Sequence, residues 1–381
     1  MDSKTTKFFI IAGESSGDNL GKKLCYNLKK SIKCEFRGIG GEGMKREGVK
    51  SIFPMKEISL MGYSEIFLRI PSLIKRIRFT AEEIRKYDPD CVITIDSPGF
   101  CFRVIKLIQN LRAKKIHYVA PSVWIKPQRV KFLDKYYDKI LSLLPFEKEY
   151  FNRVRVQCDF VGHPAVEDGF GKGDGEVFRS RNSIHEKDIV VTAMLGSRMS
   201  EIKRLGPIFF ESLDLFCKKV SQRVVVVFPS AFKEAKQMAL ILSKNYNYRF
   251  ICCLQEEKLD LFAATNFALV KSGTSSLEVA IAGVPMIVGY KVSSLSALIA
   301  KYIIKFRGFV SIVNILAGKE IIPEYIQDKC IPSKLADGLY DLYSKDSINQ
   351  VKMAQKEIAK LTVGSSSPSI LAAESVIEVL K

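Results

Sequence analysis

The sequence predicts an α/β protein made of two doubly wound domains facing a cleft. Three observations carry this. Short apolar runs alternate with helical patterns from Phe8 onward, the mark of βαβ units and a parallel sheet. The alternation breaks over Glu167 to Glu186, a stretch rich in Gly, Asp, Lys, Arg and Ser that reads as a linker, and restarts at Ile189. The chain has 381 residues, 47% of them hydrophobic, which suffices for two real cores and is too apolar for a disordered chain.

In chain order, Phe8 to Ala12 reads as a strand because five apolar residues end at a Gly-Glu-Ser-Ser turn; Asn19 to Lys30 then reads as a helix. Cys91 to Ile95 is a strand followed by a helix over Arg103 to Leu111. Ile116 to Ala120, Lys139 to Leu143 and Asp159 to Gly162 complete the first sheet. The second begins with Ile189 to Leu195, followed by a helix over Arg198 to Val220. Val224 to Phe228, Tyr248 to Leu254, Phe267 to Val270 and Met286 to Gly289 are its other strands, and the chain is helical from Pro332. The domains read as 1–166 and 187–345, with helices over 346–381 packing back on the first domain.

A formal charge of +18 calls for an anionic partner: nucleic acid, acidic lipid or a phosphorylated substrate. Nucleic acid is disfavoured, since there is no RGG tract, zinc knuckle or RNP-like aromatic run. No signal peptide and no apolar run of about 18 residues is evident, so no transmembrane helix is expected. Nine scattered cysteines without a CxxC pair favour reduced core thiols, and no His/Cys/Asp cluster has metal-ligand spacing, so neither metal nor cofactor is expected. His163, His117 and His185 read as structural.

In open α/β sheets ligands bind beyond the strand carboxyl ends, and the informative motifs lie there. Ser272-Gly273-Thr274 follows a strand and opens a helix, a place that binds phosphate, and Glu278 lies where a carboxylate reaches a sugar hydroxyl. Together they suggest a nucleotide-sugar site. Gly196-Ser197-Arg198 ends another strand, with Arg198 suited to a diphosphate; Ser197 and Glu201 also fit a simple helix cap. Asn314 and Gln327 lie beside apolar segments and could hold a base or diphosphate, or be ordinary loop residues. In the first domain, Glu14 lies in an acidic, hydroxyl-bearing turn, and Asp96 ends a strand where it serves either as a general base or as a helix cap. Gly38-Ile39-Gly40-Gly41 reads equally as a loop approaching a ligand and as a plain flexible loop. The stretch Ile66 to Phe79 mixes Ile66, Phe67, Leu68 and Leu73 with Arg69, Lys75, Arg76 and Arg78 and carries no acid. It is either a core helix with a basic face or a helix in a membrane interface.

In sequence order, Ala12 to Asp18, Gly38 to Gly41, Met61-Gly62, Asp96-Ser97-Pro98, Pro121 to Trp124, Leu144 to Glu147, Gly162-His163, Gly196 to Arg198, Ser272 to Glu278 and Asn314 to Glu320 resemble the lipid-A-disaccharide synthase family over nearly the whole chain. The resemblance implies a GT-B fold of two Rossmann-like domains. It implies an inverting, metal-independent glycosyltransferase on the cytosolic face of the inner membrane of a Gram-negative bacterium. It implies UDP-2,3-diacylglucosamine as donor, 2,3-diacylglucosamine 1-phosphate (lipid X) as acceptor, and anionic inner-membrane lipids as partners; a homodimer stays open. Asp96 matches the family's catalytic aspartate, Glu14 its first-loop acid, Arg198 its phosphate-side arginine and Asn314 its polar residue near UDP. The sequence departs at Gly99, Phe100 and Cys101, where the family has an acid, Phe and Asn, at Leu195, and at Ile125 and Lys126, where it has an aromatic and an arginine. Another GT-B enzyme of UDP-GlcNAc, a 2-epimerase or a peptidoglycan-type transferase, is the alternative.

Overall fold

The computed structural model describes residues 5–58, 63–196, 198–230, 232–292, 308–345 and 347–381, without the side chains of 63–70. The chain forms two compact units, Met1–Glu167 with Lys360–Lys381, and Asp168–Ala359.

The first unit contains β1 (Thr6–Ala12), α1 (Ser15–Ser31), β2 (Cys34–Ile39), α2 (Glu42–Arg46), β3 (Lys50–Ser51), α3 (Tyr63–Tyr87), β4 (Cys91–Ile95), α4 (Pro98–Leu107), β5 (Lys114–Tyr118), α5 (Arg129–Tyr136), β6 (Lys139–Ser142) and β7 (Gln157–Phe160). All seven strands are parallel, in the order β3-β2-β1-β4-β5-β6-β7. Side chains on a strand alternate between faces, and β1 uses both. Phe9 and Ile11 enter one core with Val92 and Ile140, while Phe8, Ile10 and Ala12 enter the other with Ile93 and Ile116. Burial on both faces explains why these strands read as unbroken apolar runs.

The helix Pro368–Leu380 closes the second of these cores with Ala372, Ala373 and Val376. Beneath it Lys139, 1% exposed, is neutralised by Asp159 at 2.9 Å and Glu378 at 2.6 Å. The helices after Pro332 therefore do not act as one block. Pro332–Ser344 and Ile348–Ile358 lie in the second unit, and only the last helix returns to the first.

Glu147 is also buried here, 2% exposed, with Oε2 accepting the backbone N–H groups of Leu143 at 3.1 Å and Leu144 at 3.0 Å. Burial outweighs those bonds and pushes its carboxyl up to about 8. A folded-state value above the unfolded one means that the folded chain binds the extra proton between the two. Stability therefore falls as pH rises from about 4.5 to about 8, and the full penalty is present above that. Glu147→Gln is expected to melt progressively higher than the parent as pH rises from 5 to 9; a pH-independent difference in melting temperature would refute this.

The second unit contains α6 (Gly175–Arg181), β8 (Ile189–Met194), α7 (Met199–Cys217), β9 (Val224–Ser230), α8 (Lys233–Ser243), β10 (Arg249–Leu254), α9 (Lys258–Ala264), β11 (Phe267–Lys271), α10 (Thr274–Ile281), β12 (Met286–Tyr290) and β13 (Glu324–Ile326). Its six parallel strands run β10-β9-β8-β11-β12-β13 around a core that includes Val191, Phe209, Phe210 and Leu269.

The stretch expected to be a linker is folded. Phe170 and Phe178 are buried, and the Arg179 guanidinium donates to the carbonyls of His185, Asp188 and Ala264 and to Asn266 Oδ1. A Cβ on Gly173 or Gly175 would overlap the backbone of α9, so these glycines serve close packing, not flexibility.

In both sheets the strand order reverses at one crevice, between β1 and β4 in the first and between β8 and β11 in the second. That is where a doubly wound sheet accepts ligands.

Candidate active site

At the first crevice, the turns after β1 and β4 touch. A Cβ on Gly13 would overlap the Ser97 hydroxyl, so only glycine allows the two turns to close. Glu14 is the half-buried residue that opens α1, and its side chain does not cap the helix. Asp96 is half-buried and its N–H donates to Tyr118 O at 2.9 Å. Asp96 and Ser97 have φ of +49° and +47°, two consecutive non-glycine residues in the left-handed region. Val119 at +78° and Ser122 at +44° follow in the loop after the neighbouring strand β5. Each such residue costs on the order of 1–3 kcal/mol, and such strain clusters at functional sites. The strain fits a functional placement of Asp96 better than a cap: Ser97, not Asp96, occupies the N-cap of α4, and no side-chain bond caps it.

Arg129, at the start of α5, lies beside this carboxylate. Burial pulls its guanidinium below the ordinary range, and the Asp96 charge pushes it back up. Its Nη1 also donates to Pro121 O. Nothing in the sequence motifs singles out Arg129, which the short helix α5 brings to this carboxylate.

The glycine-rich Gly38–Gly41 segment is packed, not poised for a ligand. Asp18, 7% exposed, accepts the N–H groups of Gly41 at 2.7 Å, Gly43 at 2.9 Å and Met44 at 3.0 Å. A Cβ on Gly41 would press on that carboxylate, and one on Gly40 would press on Met44. His163 is structural too: burial holds its imidazole down at about 4, and Nδ1 accepts the Ala165 N–H at 3.2 Å.

In the basic stretch, the structure divides the cations. Lys75 and Arg78 are exposed, whereas Arg76 turns inward to pair with Glu57 and lies over the Phe53 ring. Leu73 packs on the core beside buried Ile77. The side chains of Ile66, Phe67, Leu68 and Arg69 lie outside the described residues. Among the described residues no helix is long and apolar enough to cross a membrane.

The second crevice gathers the turns after β8 and β11. Gly196 has φ of +107°, and a Cβ there would overlap the Glu201 carboxylate, so both its conformation and its neighbour require glycine. Ser197 lies outside the described residues. Arg198 occupies the N-cap of α7 with its side chain 38% exposed, and Glu201 lies 3.9 Å from it. Glu201 also pairs with Lys271 at 2.9 Å. Gly273, with φ of +141°, is the N-cap of α10, and Thr274 stands exposed at that helix's first position. Glu278, one turn further, is held by Lys258 at 2.6 Å.

Asn314 does not offer its side chain to a ligand. It is fully buried and its amide is saturated. Oδ1 accepts from Ile321 N at 2.8 Å and Ile322 N at 2.9 Å, while Nδ2 donates to Ile322 O at 2.7 Å and Glu324 Oε1 at 2.9 Å. Both acceptor sites and both donors are used. Glu324 in turn accepts Val310 N and Ser311 N, and Ser272 Oγ donates to Val310 O at 2.8 Å. Asn314 thus anchors the loop that braces the Ser272 turn. Gln327, at φ of +52°, likewise braces backbone, accepting the Val292 N–H at 2.8 Å.

The lipid-A-disaccharide synthetase family model matches residues 8–376. The chain belongs to the lipid-A-disaccharide synthase family. The lipid-A-disaccharide synthase of Granulibacter bethesdensis is 39% identical over 387 residues, covering 98% of both chains. That of Rickettsia felis is 40% identical over 379 residues, covering 97% of this chain and 96% of its own. Among solved structures, the Acinetobacter baumannii MurG matches with a TM-score of 0.57 at 11% identity, covering 99% of each chain. The S. aureus MnaA–UDP complex matches with a TM-score of 0.60 at 13% identity, covering 98% of this chain and 95% of that one. These last two likenesses establish the GT-B fold alone. Membership of the lipid-A-disaccharide synthase family makes the chain a hexosyltransferase of lipid A synthesis, acting on sugar-nucleotide and lipid substrates. It sets the epimerase and peptidoglycan-type alternatives aside.

Proposed function

We propose that the chain condenses UDP-2,3-diacylglucosamine with 2,3-diacylglucosamine 1-phosphate, giving the β-1′,6-linked disaccharide 1-phosphate and UDP. The match to lipid-A-disaccharide synthases along nearly the full chain carries this reading. In it the second unit holds UDP. Arg198 and the N-terminus of α10 face the diphosphate, and Glu278, oriented by Lys258, takes the ribose. Asp96 accepts the proton of the acceptor 6-hydroxyl as that oxygen bonds to the donor anomeric carbon from the face opposite UDP. The carbon–oxygen bond to UDP breaks, its electron pair leaves on the β-phosphate, and configuration inverts. Donors aimed at that developing charge lower the barrier.

The arrangement in sequence of apolar residues with Lys75 and Arg78 on α3 supports a peripheral site on anionic lipid at the cytosolic face of the inner membrane. UDP release is expected with acylated donor and acceptor and to collapse with deacylated ones, and the chain is expected to sediment with anionic vesicles. Equal rates with deacylated sugars would overturn the substrate reading, and absence from the vesicle pellet the membrane reading.

A further inference from the structure

Lys271 ends β11 immediately before Ser272, and its Nζ lies 2.9 Å from Oε1 of Glu201 on the first turn of α7. The same oxygen lies 3.9 Å from Nη1 of Arg198. A Cβ on Gly273 would stand 3.4 Å from Lys271 Nζ, so the ammonium rests against the backbone of the turn at the start of α10. The lysine side chain is 18% exposed and lies over the Tyr290 ring at 5.7 Å. Two cations thus share one carboxylate, between two helix N-termini whose dipoles add positive potential. The strands behind them, β8 and β11, are immediate neighbours, which brings Arg198 and Glu201 to Lys271 from far along the chain.

An ion pair between neighbouring turns could simply staple them. The placement fits another role. A carboxylate standing where a diphosphate is expected opposes that ligand's charge. Its use is in the empty site, where it keeps two like charges from repelling each other.

We propose that Lys271 is a diphosphate-binding residue of the donor site and that Glu201 is its resting partner. Donor oxygens take up the Lys271 ammonium beside Arg198, and the same ammonium then faces the charge left on departing UDP. This rests on the reading of the second unit as the UDP-sugar half.

The test uses the full chain, with UDP binding measured by titration calorimetry, uridine binding by ligand-observed NMR, and thermal melting. Lys271→Met is expected to weaken UDP about 10–100-fold, the range of a charge-assisted hydrogen bond, and to leave uridine affinity unchanged. Lys271→Arg restores most of the loss. Glu201→Gln shifts UDP affinity the other way, tightening it several-fold while lowering the melting temperature. A mere staple predicts otherwise: the Met and Gln variants would both weaken UDP, or Lys271→Met would weaken UDP and uridine alike, and either result overturns the proposal. A parent chain that binds neither UDP nor uridine would instead overturn the donor-half reading itself.

Discussion

Asp96→Asn is expected to lower turnover about 10²–10⁴-fold, the usual worth of a positioned general base, while UDP affinity stays within about twofold. The substitution is nearly isosteric. The N–H of residue 96 still reaches Tyr118 O, and the left-handed backbone at 96 and 97 still aims the side chain. What disappears is the capacity to accept a proton and the charge facing Arg129. UDP affinity serves as the internal control because the residues assigned to UDP belong to the other compact unit. Single-turnover UDP release with saturating acceptor measures the step. Near-normal turnover would remove Asp96 from the base role and leave Glu14 as the next carboxylate at that crevice.

Asn314→Ala should destabilise the second unit by about 3–5 kcal/mol, since one substitution strands several buried partners at once. The N–H groups of Ile321 and Ile322, the Ile322 carbonyl and the Glu324 carboxylate all hydrogen-bond to this one side chain. Through Glu324 and Val310 the same loss reaches the Ser272 hydroxyl, so UDP binding weakens as a consequence of loosened support. Urea unfolding followed beside UDP titration separates the causes. Had Asn314 touched the nucleotide directly, affinity would fall at unchanged stability, and that outcome would refute the scaffold assignment.

The sequence read the strands best. Phe8 to Ala12, Cys91 to Ile95 and Phe267 to Val270 lie within observed strands, because strands buried on both faces leave unbroken apolar runs. Marginal edge strands were invisible: β3 has two residues and β13 three, too short to print a pattern. The Glu167–Glu186 stretch misled because its few apolar residues, Phe170 and Phe178 among them, are spaced among charges and find their burial in tertiary packing, Phe170 against Phe262 of α9. At the site, turns after strands were legible since glycine and hydroxyl residues mark them. Which polar side chain faces a ligand was not. Asn314 and Asp18 bind backbone, while Lys271 and Arg129 reach the crevices from positions that look ordinary in one dimension.

The return of the helix Pro368–Leu380 to the first unit sets an order of events during synthesis. A ribosome adds about 5–20 residues per second, and the first unit is the earlier to emerge. Yet it cannot close its second face until the last helix is made, for Ala372, Ala373 and Val376 belong to that core and Glu378 is one of two carboxylates on buried Lys139. The second unit, continuous from Asp168 to Ala359, lies between the two segments of the first in the chain. The first unit therefore cannot complete its fold until the whole of the second has been synthesised, and meanwhile the nascent N-terminal sheet has one apolar side uncovered.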